Sequence, residues 1–426
     1  KKIYAVIGAV IFGLGLCVIP FMDYIIKDKP DVSGLTLYYI LFLINTTVSY
    51  WFASYKASVL YADQKEYIKT NVQNRHCILQ SALQIVLLLI FRKYLLYLLV
   101  QLGCNIILNL YVAHLVDRRY PQIREHRDAW LTSEERGQIK KDAEALVLSR
   151  FGHVVLNGTD NIIISAVVGV LWVGRLSNYT LICDSVTSVL CQITAAITGS
   201  LGNFFATEDK HAGYALFKKV EFLNFWLYGF SFIALVTLLD PFVQIWAGGR
   251  FVLGLPISIA IAINFFVAGY MNTLWVFRST LGLFKQGKFR PILVAILNIV
   301  LSFVLGKLWG VFGVLFATFL SRASISLWYD PIIIHKYGFG VSAKPFFTRY
   351  TKRILLLSVI LVPLLWARRL VFSTEITVLN FIAMAAIVTI FTNIVFWLFY
   401  HGCEEYSYFK MIFRERVIAP IKRKLT

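Results

Sequence analysis

The residues able to do chemistry are polar side chains set inside long apolar runs. Asn157, Thr159, Asp160 and Asn161 lie in one such run, and Asn178, Asp184, Thr187, Ser188, Gln192 and Thr194 lie in the next. Burying such groups in hydrocarbon is costly, so they face a bundle interior or a cavity. Asn157 and Asn161 share a helix face at i,i+4, and Asp184, Ser188 and, less closely, Gln192 step along another. Two readings are open: helix–helix hydrogen bonding, or a polar cavity wall with a coupling site. Asp184 is the stronger coupling-ion or hinge candidate of the two acids. Three arginines, Arg150, Arg278 and Arg322, sit in or at the ends of apolar runs. A guanidinium meets phosphate bidentately and keeps its charge, so these three are candidate pyrophosphate ligands; snorkelling to the interface is the rival reading. Arg150 precedes Asp160 by about 15 Å of helix and points roughly 80° away, so each needs another partner.

Catalytic constellations do not emerge. There is no GxxxxGK[ST] loop and no HExxH, and the seven histidines are scattered without a His/Asp pair. The six cysteines show no metal-ligand spacing and read as small packing residues. No cofactor and no metal are expected.

Positioning these groups falls to membrane helices. Of 426 residues 58% are hydrophobic and only 15% charged, with mean hydropathy +0.69, and apolar runs long enough to cross a bilayer recur from end to end. That excludes a soluble enzyme, a nucleic-acid binder and a disulfide scaffold. Twelve candidate spans fall near 3–26, 34–53, 76–91, 94–116, 147–169, 176–200, 222–240, 254–275, 291–306, 309–329, 354–370 and 376–400. Their continuous apolarity argues against a barrel, and an open sheet edge cannot face lipid. The net charge of +19 is distributed by side: 31 Lys and Arg fall in one alternating set of loops and 9 in the other. By the positive-inside rule the first set, which includes both ends of this chain, faces the cytoplasm.

The expected organisation is a four-helix N-terminal lobe over 1–116, a cytoplasmic linker over 117–146, a six-helix lobe over 147–330, a cytoplasmic loop over 331–353, two additional helices over 354–400, and a basic cytoplasmic tail over 401–426. Within the linker, Thr132 and Glu135 have capping-box spacing ahead of an amphipathic pattern. Segments 55–73, 204–221 and 404–426 mix apolar, aromatic and basic residues and read as interfacial, suited to an anionic inner leaflet.

Several stretches resemble Gram-positive polysaccharide and teichoic-acid export proteins of the Wzx flippase type. They are Ser54-Tyr55-Lys56 with Ala62-Asp63-Gln64-Lys65, Gly158-Thr159-Asp160-Asn161-Ile162-Ile163-Ile164-Ser165, Ser177-Asn178-Tyr179, Gly202-Asn203-Phe204 and Phe225-Trp226-Leu227-Tyr228-Gly229. That family belongs to the multidrug/oligosaccharidyl-lipid/polysaccharide exporter superfamily. The resemblance implies an all-α polytopic membrane protein of two pseudo-symmetric helical bundles, working by alternating access. It implies an undecaprenyl-pyrophosphate-linked oligosaccharide as cargo, moved from the inner to the outer leaflet of a bacterial plasma membrane for capsule or surface polysaccharide. A polysaccharide polymerase and an initiating glycosyltransferase are the implied protein partners. It also implies that the first bundle lacks two helices upstream of Lys1. The other readings are a cation-coupled exporter of small or drug-like molecules and a non-transporting scaffold of a polysaccharide assembly complex. A membrane polymerase is disfavoured, because it would want a large exterior loop and the long charged loop here is interior.

Overall fold

The computed structural model describes residues 2–22, 34–52, 54–63, 65–121, 132, 134, 137, 158–207, 209–283, 289–373 and 375–414. Every regular element among them is helical. The chain divides into two compact units, Lys1–Ala143 and Glu144–Thr426. Eight described helices are long and apolar enough to cross a bilayer, and a ninth if Leu35–Trp51 and Lys56–Ala62 form one bent crossing.

The first unit contains α1 (Lys2–Val18), α2 (Leu35–Phe52), α3 (Ser54–Ala62), α4 (Glu66–Phe91) and α5 (Tyr94–Arg119). The short span expected at 76–91 extends ten residues into the polar sequence before it, which makes it long enough to cross. Arg92 takes a left-handed conformation (φ 51°) and turns the chain directly into α5. The polar stripes of these helices serve packing. Gln84 donates to the Tyr97 carbonyl at 3.2 Å; Asn105 donates to both the carbonyl and the side-chain oxygen of Asn45 at 3.0 and 3.1 Å; Asn109 donates back to Asn105. Amide ladders of this kind replace water as the partner of polar groups inside a bundle. At the far end Lys56 pairs with Asp117 at 2.5 Å.

The second unit begins, among the described residues, with α6 (158–167). Gly169 (φ 134°) reverses the chain, its N–H bonding the Ile164 carbonyl at 2.8 Å, and α7 (Val170–Thr207) follows at once. Asp209 then caps α8 (Lys210–Trp246) by accepting from the Ala212 N–H at 2.8 Å. Segment 204–221, expected as an interfacial stretch, contains the end of α7 and the start of α8. At 37 residues α8 is about 55 Å long, well beyond a hydrocarbon core, so its polar ends project from it. Gly248 and Gly254 carry positive φ in the turn to α9 (Leu255–Thr280), which has Pro256 in its first turn. Gly269 on α9 lets Tyr228 of α8 lie against bare backbone, where a Cβ would come within 2.0 Å of the ring.

The stretch Arg290–Ile333 is helical at both ends but is a hairpin. Gly310 has φ 61° and ψ −139°. Residues on either side of it meet across the fold: Asn298 with Thr318, Gly306 with Val314, Leu305 with Gly313, and Arg290 with Asp330. We label its limbs α10 (290–309) and α11 (311–333). A one-residue turn demands close limbs, and a Cβ on Gly313 would stand 1.9 Å from the Leu305 carbonyl oxygen. The expected spans 291–306 and 309–329 correspond to these limbs.

After a π-helical segment, Ile334–Phe339, and a turn through residues 340–343 come α12 (Lys344–Val371), α13 (Val378–Tyr400) and the short α14 (Glu404–Phe413). The two helices expected as additions to the six-helix lobe are part of its core: Leu356, Leu357, Ile360, Met384, Val388 and Phe396 are buried in the same cluster as Phe225 and Tyr228. Ion pairs add to this packing. Glu221 of α8 bonds Arg353 of α12 and accepts from Tyr270 of α9 at 2.5 Å. Asp240 of α8 accepts from Tyr179, Ser258 and Arg368 at 2.7, 2.8 and 3.2 Å.

Candidate functional site

A cavity of about 390 Å³ in the second unit is walled by α6, α7, α8, α9 and α11. Its polar lining is the unusual part for a helical membrane protein. Asp160, Asp184, Asn264, Asn272, Thr318 and Arg322 all reach it, among apolar neighbours such as Leu176, Phe265 and Leu315.

At one wall a hydrogen-bond chain runs across three helices. Asn298 of α10 donates to the Thr318 hydroxyl of α11 at 3.0 Å, and that hydroxyl donates to Asp160 Oδ2 of α6 at 2.7 Å. Thr159 donates to Asn298 Oδ1 at 3.4 Å, and Asn298 reaches Ser302 at 3.3 Å. The tight turn at Gly310 sets α10 and α11 side by side, and α6 packs against them through Asp160 and Thr159. Asp160 Oδ1 is buried with no hydrogen-bond partner among the described residues. Arg322 lies one turn beyond Thr318 on α11 and lines the same cavity, so an acid and a guanidinium share one low-dielectric wall.

Across the cavity, α7 presents Leu176, Thr180, Cys183, Asp184, Thr187 and Cys191. This is the 3.6-residue stripe. Ser188 and Gln192, placed with Asp184 from i,i+4 steps, do not line the cavity; each such step drifts about 40° around the helix, so two steps carry Gln192 off the face. Cys191 Sγ lies 3.9 Å from the Tyr228 hydroxyl, which closes this side.

The other expected site residues fall elsewhere. Arg278 is buried (4% exposed) and donates to Asp330 at 3.0 Å and to the Leu283 carbonyl at 3.0 Å, beside the Arg290–Asp330 pair. It ties α9 to the open end of the hairpin rather than facing the cavity. Asn161 is exposed on α6 and does not line the cavity. Arg150 and Asn157, and Glu135 of the capping box, lie outside the described residues. Asn298, Asn264 and Tyr228 were not singled out from sequence as site residues. For the first a usable signal existed: Asn298 and Ser302 stand at i,i+4 in one limb, as Thr318 and Arg322 do in the other.

No family model and no curated protein matches the chain. Among solved structures, one described as "Lipid II flippase MurJ, inward closed conformation" superposes over 94% of this chain and 83% of its own, with 16% sequence identity and a TM-score of 0.63. The chain thus shares the all-α fold of that structure, with its long apolar helices gathered in bundles.

Proposed function

We propose that this protein translocates an undecaprenyl-pyrophosphate-linked oligosaccharide from the inner to the outer leaflet of a bacterial plasma membrane, supplying capsule or surface polysaccharide synthesis. The observation that carries the reading is a polar cavity, holding two acids and an arginine, inside a bundle whose fold is shared with a lipid II flippase. Such a cargo joins a large polar head to an apolar tail. Moving it requires a polar recess within a bilayer-spanning bundle, opened alternately to each side. In this reading Arg322, with Arg150, receives the pyrophosphate, while Asn264, Asn272 and Tyr228 offer hydrogen bonds to sugar. Both ends of the chain face the cytoplasm, and a polymerase and an initiating glycosyltransferase work beside it.

A second reading, a cation-coupled exporter of small molecules, is favoured by one specific observation: the Asn298–Thr318–Asp160 chain satisfies one oxygen of the Asp160 carboxylate and leaves the other buried without a hydrogen-bond partner among the described residues.

Both are tested in liposomes loaded with labelled undecaprenyl-pyrophosphate oligosaccharide, with and without an imposed ion gradient. An externally added sugar-modifying enzyme reports exposure of the label. Protein-dependent exposure supports flipping. No exposure from folded protein with the native sugar and a gradient removes the flippase reading and leaves the exporter.

A further inference from the structure

A second recess, of about 370 Å³, lies far from the polar cavity, where the first turns of α8 meet α14. It is lined by Ala215, Lys218 and Lys219 of α8 and by Glu404, Glu405, Ser407, Tyr408 and Met411 of α14. The helices are joined by rings on their other faces: Phe222 stacks on Phe409 at 6.5 Å, and Trp226 on Tyr406 at 5.8 Å. Tyr400, the last residue of α13, packs edge-on to Phe222 at 5.3 Å, so α14 folds back against α8 where the apolar span ends. That level is the bilayer interface, because α8 exceeds the hydrocarbon thickness and its polar start lies outside.

The charges in this recess are arranged in an unusual way. Both lysines are half-buried, with Lys219 Nζ 4.1 Å from the centre of the Tyr408 ring and Lys218 Nζ 5.7 Å from that of Tyr214. Two carboxylates line the same recess, yet among the described residues no ion pair joins either lysine to Glu404 or Glu405. The acids also stand in the first turn of α14, where they favour the helix dipole. That accounts for their presence in the turn but not for a recess with two unneutralised ammonium groups on one wall and two carboxylates on the other.

We propose that this recess binds the headgroup of a phospholipid carrying both a phosphate and a primary amine. The phosphate would meet Lys218 and Lys219, the amine would donate to Glu404 and Glu405, and the acyl chains would run along the apolar flank of α8 and α14. A purely anionic headgroup matches the lysines but brings its charge beside two carboxylates. A choline headgroup has the charge but no N–H to donate. The recess is thus selective for phosphatidylethanolamine over both phosphatidylglycerol and phosphatidylcholine. This inference depends on the membrane placement of α8 and is independent of any cargo, so its test does not read transport.

The test uses the full chain in detergent, titrated with each of the three lipids, with retained lipid counted by native mass spectrometry and apparent affinity read from the thermal unfolding midpoint. Phosphatidylethanolamine binds most tightly to the unaltered protein. K218A/K219A weakens binding of phosphatidylethanolamine and phosphatidylglycerol by about fivefold per lysine removed. E404Q/E405Q reverses the preference toward phosphatidylglycerol, an outcome that no general loss of folding would produce. Ala215→Trp, which fills the recess without altering charge, abolishes the preference. Equal binding of the three lipids by the unaltered protein, or a preference that survives both double substitutions, overturns the proposal, as does equal protection by free phosphoethanolamine, which would point to a soluble ligand.

Discussion

Arg353 of α12 reaches Glu221 of α8, and both side chains are almost fully withdrawn from solvent, at 6% and 2% exposure. At the other end of the same two helices Arg368 reaches Asp240. The later helix is fastened to the earlier one near each membrane surface. Breaking a buried pair from one side costs about 3–5 kcal/mol when it leaves the other charge without compensation; here Arg349 stays 3.6 Å from Glu221 and offsets part of that. Arg353→Met should lower stability by less than that figure, read as the unfolding midpoint in detergent, and Glu221→Gln added to it should restore part of the loss. Arg368 keeps more solvent contact, so Arg368→Met should cost distinctly less. Wild-type stability in Arg353→Met would show the fastening to be inert.

Gly313 is the tightest contact of the hairpin. Alanine there must push the limbs apart or distort them, and overpacking of this kind costs about 1–3 kcal/mol. Gly313→Ala should therefore unfold at lower temperature and speed proteolysis at the Gly310 turn. Gly103→Ala, at a helical glycine with open space around it, serves as the control and should be neutral or slightly stabilising.

Asp160→Asn keeps the size of the side chain and its bond from Thr318 but removes the charge. If the buried carboxylate couples transport to a cation, the unaltered protein will be stimulated by an imposed gradient and Asp160→Asn will not, with transport falling about tenfold or more. Equal gradient response in both would exclude Asp160 from coupling. Ser188→Ala and Gln192→Ala, off the cavity wall, should leave transport within about twofold of the unaltered protein.

The connection beside α3 carries a pH signature. Lys65, at 2.7 Å, and the Tyr120 hydroxyl both donate to Asp63, and these bonds hold its carboxyl below the usual range. The same contacts raise Lys65 and Tyr120 above theirs. A depressed carboxyl contributes stability above its unfolded pKa of about 3.9 and loses it as pH falls through the lower folded value. A raised lysine loses its contribution as pH climbs through its folded value. The protection factors of amides at the start of α4 and the end of α5, after correction for intrinsic exchange, should thus be flat from pH 5 to 9 and fall below about pH 4. Asp63→Asn should abolish the acid-side change.

Much of this organisation is legible in the sequence because hydrocarbon imposes it. Apolar runs fix the helices, and Asp160, Asp184 and Arg322 within them announce a polar cavity. What sequence reading misplaced was geometry. Asp184, Ser188 and Gln192 looked like one face only because i,i+4 steps approximate a helical stripe over a single turn. Arg278 resembled a phosphate ligand because nothing local reveals that Asp330, half a hundred residues on, has taken it. Glu221, Asp240 and Asp330 sit at the borders of apolar runs, where an acid reads as a loop residue, yet each is nearly enclosed. Their partners are supplied by distant helices, and no local period encodes that.

The pairing of Asp240 with Arg368 has a consequence for biosynthesis. The acid leaves the ribosome 128 residues before its arginine, and Glu221 precedes Arg353 by 132. At elongation of about 5–20 residues per second, each carboxylate waits on the order of ten seconds before its arginine is made. Nascent chains stopped before α12 would carry two acids held by hydroxyl donors alone, a mark by which a membrane protease could tell an unfinished molecule from a finished one.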